Sequence, residues 1–313
     1  MSHAVQPAVN SGGLAGAGRQ YTAELWDGYD PAAMLRDPTI GHFDQVDFAS
    51  TPCPIVATNL ALANFAGGWT GFTGATASTV GPASIQGGVC ELTSATDNMD
   101  TYLQRSTLGV VNGIGGRPYA FVTSNEVTAW PYHHLARIRF ECRLAVSTVA
   151  ANVQGWFVGF SGVLADNDLD DDTADVVTTK PFFGWSVLNG AAAENATPRV
   201  IYQNATAAPT TLIANAGTMV ANTWYTFGMD FDPMAKSTER CSFWFNGVKS
   251  STFLTHAMTA TNFPRTIDGS TMVDLAPSFM RKNGASTAGS LYISNFRVCQ
   301  EFVGVSRGNE ACG

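Results

Sequence analysis

Between Trp224 and Asp232 the chain alternates strictly, with Tyr225, Phe227, Met229 and Phe231 on one side and Thr226, Gly228, Asp230 and Asp232 on the other. A period of two with one apolar side predicts a strand that buries one face. Cys241, Phe243 and Phe245 repeat the pattern, and the polar, proline-bearing Pro233 to Arg240 joins the two as a loop. Asn246-Gly247 tolerates positive φ, so Val248 to Phe253 is expected to return antiparallel and complete a meander.

The same period runs through the chain after residue 50. Leu135 to Val146 is the most regular strand, with Ala136, Ile138, Phe140, Cys142, Leu144 and Val146 on one face and Arg137, Arg139, Glu141 and Arg143 on the other. That charged row reads as a solvated or subunit-contacting face. Gln154 to Phe160 and Phe182 to Leu188 are apolar on both faces and belong in the middle of a sandwich. Strands are also expected at Gly87–Leu92, Met99–Leu103, Val200–Tyr202, Thr211–Ile213, Ser278–Arg281 and Leu291–Val298, about twelve in all. This spacing, without helical periodicity or an internal repeat, predicts an all-β, two-sheet antiparallel sandwich over residues 47–313.

Residues 1–46 differ and read as an extended N-terminal arm. Ser11 to Gly18 is small and flexible, while Asp30 as N-cap and Pro31 at the first helical position predict one short helix, stopped by Asp37-Pro38. Leu25, Trp26, Tyr29, Met34, Leu35 and Phe43 are more apolar anchors than so short a segment can bury alone. They read as partner-binding residues docked on other subunits, or as an arm folded back on its own domain.

Composition narrows the function. Of 313 residues 45% are hydrophobic and 13% charged, enough for a sizeable core. A net charge of −8 with no Lys/Arg run excludes a nucleic-acid surface. No apolar stretch is long enough to span a membrane, and the first thirty residues hold no signal peptide. The six cysteines form no C-x-x-C pair and are expected as free thiols, Cys142 and Cys241 facing inward; a Cys53–Cys312 bridge stays open.

Chemistry-bearing motifs are few. None of the eight Glu lie four apart, so a paired-carboxylate glycosidase strand is missing. Arg139 to Arg143 with Tyr132, His133 and His134 only loosely matches a lyase. Gly-x-Ser-x-Gly and His-Glu-x-x-His are absent. Asp166 to Asp172 packs five carboxylates into seven residues, yet Asp171 and Val177 stand where an EF-hand needs Gly and Glu. It reads as a solvated loop tip, with a cation site as the lesser alternative. No catalytic residue, metal site or cofactor is expected. Asn195 and Asn204 match glycosylation acceptors without an export signal to give that meaning.

The order Gly155 to Phe160, an Asp-rich loop, Phe182 to Val187, Trp224 to Phe231, Phe243 to Val248 and Leu291 to Val298 resembles the concanavalin A-like (laminin G-like) jelly roll. Gly88 to Asn98 with His134 to Arg143 resembles a group of tailed-phage virion proteins with that fold. The resemblance implies a non-enzymatic capsid decoration or cement protein, assembled in the host cytoplasm and held on the virion surface. Its expected partners are the major capsid protein and copies of itself as a homo-oligomer. The alternative is a lectin-like carbohydrate-binding module, with Trp185, Trp224 or Trp244 stacking on surface glycans. A polysaccharide lyase or hydrolase stands behind both.

Overall fold

The computed structural model describes residues 21–27, 41–48, 63–65, 69–74, 78–83, 88–94, 96–105, 136–162, 164, 167–169, 179–190, 192–204, 208–259, 261–264, 267–268, 271–272, 275–284 and 288–302. The short helix expected at 30–35, and with it Tyr29, Met34 and Leu35, lies outside these residues, as do Cys53, Cys312, His133 and His134.

Early in the chain come β1 (Gly41–Asp47), β2 (Ala63–Phe65), β3 (Trp69–Thr73), β4 (Thr79–Pro82), β5 (Cys90–Ser94) and β6 (Asp100–Arg105). The long strands β7 (Ala136–Val146), β8 (Gln154–Ser161) and β9 (Phe182–Val187) follow, then β10 (Arg199–Gln203) and β11 (Thr210–Ile213). The meander is β12 (Tyr225–Phe231), β13 (Cys241–Phe245) and β14 (Val248–Lys249). A small hairpin of β15 (Ile267–Asp268) and β16 (Thr271–Met272) precedes β17 (Ala276–Asn283) and β18 (Gly289–Phe302).

All pairings among the described residues are antiparallel, and apart from the β15–β16 hairpin they build two eight-stranded sheets. The first runs β14-β13-β12-β7-β18-β5-β4, with β1 also on β18; the second runs β11-β10-β9-β8-β17-β6-β3-β2. This is a two-sheet antiparallel β-sandwich. Strand β18 is long enough to serve three partners. Gly289 to Ile293 pair with β5, Asn295 to Glu301 pair with β1, and β7 runs along the other side with a register shift near Ser294. Pairing of Gly41 to Asp47 with β18 draws the sandwich boundary ahead of residue 47, because Val46 and Phe48 already belong to the core.

The core forms as alternation requires. Trp156, Val158 and Phe160 of β8, Phe183 and Trp185 of β9, and Phe227, Met229 and Phe231 of β12 face one another between the sheets. Trp185 sits edge-on to Phe227 and Phe243, in the T-shaped geometry that aromatic quadrupoles favour. Cys142 and Cys241 point inward as expected, and with Cys90 and Cys299 they are buried free thiols. At one end Arg281 is buried between the sheets. It donates to Gln154 and Asn283 on its own sheet and to the Ser94 carbonyl on the other, and burial pushes its guanidinium down to about 9.

Two expectations change here. The return strand after Asn246-Gly247 is only Val248–Lys249, with one further bridge from Leu254 to Cys241, since Ser250 to Phe253 carry no apolar alternation. Strands β1, β2, β3, β4, β15 and β16 add to the count; in β3 and β4, Gly71 and Gly81 interrupt the alternation that would have marked them.

Candidate functional site

The outer face of the first sheet is organised by register. Trp244 on β13, Gly228 on β12, Glu141 on β7, Arg297 on β18 and Gln45 on β1 form one continuous cross-strand row. The adjacent row is Ser242, Asp230, Arg139, Cys299 and Phe43. Gly228 leaves a notch between the Trp244 ring and the Glu141 carboxylate.

Residues 21–27 close as turns across this notch, with Trp26 and Asp27 amides bonded back to Thr22, Ala23 and Glu24 carbonyls. Leu25 fills the notch: a Cβ added to Gly228 would lie 2.7 Å from its Cδ2. Glu141 grips the segment with both oxygens, accepting the Thr22 amide at 2.8 Å and the Trp26 indole N–H at 2.7 Å. The Arg297 guanidinium stacks on Tyr21, 3.0 Å from the ring centroid, and on Trp26 at 4.3 Å. Leu25, Trp26, Trp244 and Cys299 make a small outer core, with Tyr21 and Phe43 packed against it. Fully burying one such leucine is worth about 1.5–3 kcal/mol.

Charge completes the clasp. Glu141 is 1% exposed and 4.0 Å from Arg297. Burial raises its pKa, opposed by the Thr22 and Trp26 hydrogen bonds and by Arg297. Arg137 makes a bidentate pair with Asp230 at 2.9 and 2.5 Å, and Asp230 holds the guanidinium well above its ordinary pKa. Arg139, 2% exposed, reaches Asp230 and the Asp27 carbonyl.

Leu25, Trp26 and Phe43 are therefore brought together on the chain's own sheet, Leu25 and Trp26 buried and Phe43 partly so. Arg139 and Glu141 lie beneath the segment rather than in solvent, so this part of the charged row of β7 is not a solvated face. A glycine directly opposite an outward-pointing acid on the neighbouring strand was the available signal. It went unread because a period-two pattern assigns faces but does not say what covers them.

The outer face of the second sheet is also closed. Phe72, Tyr102, Phe157, Phe182, Ile201 and Met280 pack with Leu164 and Leu169 into a second outer cluster. Gly159 and Gly184 stand opposite each other there, and a Cβ on Gly184 would meet the Val158 carbonyl oxygen at 2.4 Å. Gln104 donates to Ser161, Ser278 and the Gly162 carbonyl. Part of the Asp-rich stretch is anchored beside this cluster. Asp168 is 2% exposed and paired with Lys180 at 2.6 Å, so it is no solvated tip. Asp166 and Asp170 to Asp172 lie outside the described residues. Among the described residues no three of His, Cys, Asp and Glu could hold a metal ion.

Of the three tryptophans considered for sugar stacking, Trp185 is in the core and Trp244 lies under the leading segment and Lys249. Trp224 alone of these is partly exposed, with the Arg143 guanidinium 5.4 Å over its ring. Asn195 is buried and accepts the Gly190 amide, a structural role that leaves no room for a glycan.

No family model matches the chain, and no curated protein matches it either. Solved structures with a similar fold include a protein of unknown function from Shewanella oneidensis MR-1, at 11% identity and TM-score 0.48 over 87% of this chain and 95% of that one. The basic winged bean lectin with Tn-antigen is similar at 9% identity and TM-score 0.48, over 84% and 100%. Alginate lyase A1-II′ of polysaccharide lyase family 7 is similar at 6% identity and TM-score 0.39, over 68% and 80%. Likenesses this distant say nothing of what this chain binds or does. Among the described residues no helix is long and apolar enough to cross a membrane.

Proposed function

We propose that the chain is a non-enzymatic structural virion protein of the capsid-decoration kind, a rigid β-sandwich attached to a particle by its leading residues. The supporting observation is the clasp of residues 21–27 on Glu141, Arg297 and Gly228. It fixes residues 21–27 on the outer face of the first sheet. In this reading residues 1–20 supply the tether, since the small residues from Ser11 to Gly18 have little to bury on the sandwich itself. Major capsid subunits and further copies of this chain are the partners in this reading.

The test compares full-length protein with a version lacking residues 1–20 for binding to phage particles stripped of it, read by sedimentation and imaging. Loss of binding with an unchanged thermal transition is expected. Equal binding by both versions sinks the tether.

A second reading, glycan binding, is favoured by Trp224, whose partly exposed ring carries Arg143 beside it. Glycan-array binding that disappears in Trp224→Ala supports it; an array that stays silent with the intact protein rejects it.

A further inference from the structure

Lys282 of β17 and Asp100 of β6 are direct cross-strand partners. Their side chains are 0% and 1% exposed, and Nζ lies 3.2 Å from Oδ1. The other carboxyl oxygen, Oδ2, accepts two backbone N–H groups, from Asp168 at 2.8 Å and Leu169 at 3.3 Å. Nζ in turn donates to the Leu169 carbonyl at 2.7 Å. The pair adjoins the apolar cluster of Tyr102, Phe157, Leu169 and Met280.

We propose that Lys282 and Asp100 condense into an isopeptide bond that covalently joins β17 to β6. Four features of the site match what amide formation needs. The nucleophile and the carboxyl carbon are held together by the register of two paired strands, which replaces a bimolecular encounter with an intramolecular one; well-oriented reactions of that kind reach effective molarities of about 10⁵–10⁸ M. Amide formation starts with transfer of a proton to the carboxylate, and burial favours the neutral acid that results. In agreement, burial pushes the Asp100 carboxyl up to about 6 despite the charge of Lys282. The two backbone N–H groups on Oδ2 stand where negative charge develops during attack, as in an oxyanion hole. The Leu169 carbonyl orients the amine.

The step balances without any co-reactant. The nitrogen lone pair attacks Cγ of Asp100, and the carbonyl electrons move onto Oδ2. On collapse the Cγ–Oδ1 bond breaks, and the departing hydroxyl takes a proton from the nitrogen and leaves as water. One ammonium and one carboxylate become one amide and one water, with no change of oxidation state. Two buried charges vanish together, which removes the cost of keeping an ion pair away from solvent.

The test is intact-mass measurement of the full-length protein, denatured and reduced, followed by peptide mapping. The wild type is expected to be lighter than its sequence by one water, with Lys282 and Asp100 recovered in a single branched peptide. Asp100→Asn is expected to form the same amide with loss of ammonia in place of water, and Lys282→Arg to show its full sequence mass. A wild type at full sequence mass overturns the proposal without reliance on any variant's folding. So does a water loss that persists in Lys282→Arg or maps to other residues.

Discussion

Leu25 and Gly228 interlock: the leucine side chain occupies the space that any Cβ at position 228 would need, 2.7 Å from its Cδ2. The obstacle is the end of a flexible side chain rather than backbone. Gly228→Ala therefore expels Leu25 and leaves the sheet intact, at a cost of about 1–3 kcal/mol. Thermal unfolding checks the size, and limited proteolysis near residue 27 checks the cause. Leu25→Ala is expected to cost less in the Gly228→Ala background than alone, because both changes break one contact.

Removing the acid that grips the segment acts more severely. Glu141→Ala leaves the Thr22 amide and the Trp26 indole N–H without their acceptor. Each stranded buried donor costs about 1–3 kcal/mol. The expected result is a lowered melting temperature together with rapid cleavage of the first thirty residues. An unchanged protease pattern would show that the clasp does not depend on this residue.

The same residue gives a pH dependence of definite sign. Burial raises the Glu141 pKa above its ordinary 4.5. A carboxyl raised in the folded state contributes stability below the unfolded value that is lost as pH rises through the folded one. Glu141→Gln keeps the shape but cannot titrate. The stability of wild type relative to Glu141→Gln is thus expected to fall as pH is raised from 4.5, read by denaturant titration. A difference that grows over that range contradicts the assignment of burial as the dominant influence.

At the centre of the second sheet the glycines are less forgiving. A Cβ on Gly184 meets the Val158 carbonyl oxygen at 2.4 Å and the Gly159 Cα at 2.7 Å, and both are backbone. Nothing there can rotate aside. Gly184→Ala is expected to cost about 3 kcal/mol or more, seen as lost yield of folded protein.

How much of this was legible beforehand follows from what alternation encodes. Phe140, Cys142 and Leu144 against Arg139, Glu141 and Arg143 gave the faces of β7 correctly, and the meander from Tyr225 to Phe245 appeared as read. Pattern could not say that the charged side of β7 would be roofed. Roofing depends on which segment lies across four strands, and Tyr21 to Asp27 are more than a hundred residues from their seat. The anchors Leu25 and Trp26 were visible as apolar excess, while their destination was not. Asp100 and Lys282 likewise look like ordinary surface charges in sequence, since the pairing of β6 with β17 and the approach of Leu169 are matters of topology.

The long strand β18 has a consequence in time. It fills the gap beside β7 and supplies the edge for both β5 and β1, and β17 just before it joins β6 to β8. Until residues 276–302 have left the ribosome, each layer exists only as separated ribbons with bare edges. Such a nascent chain cannot be completed piecemeal. It is expected to dwell in association-prone intermediates during synthesis and to close both layers almost at once when the final two strands arrive.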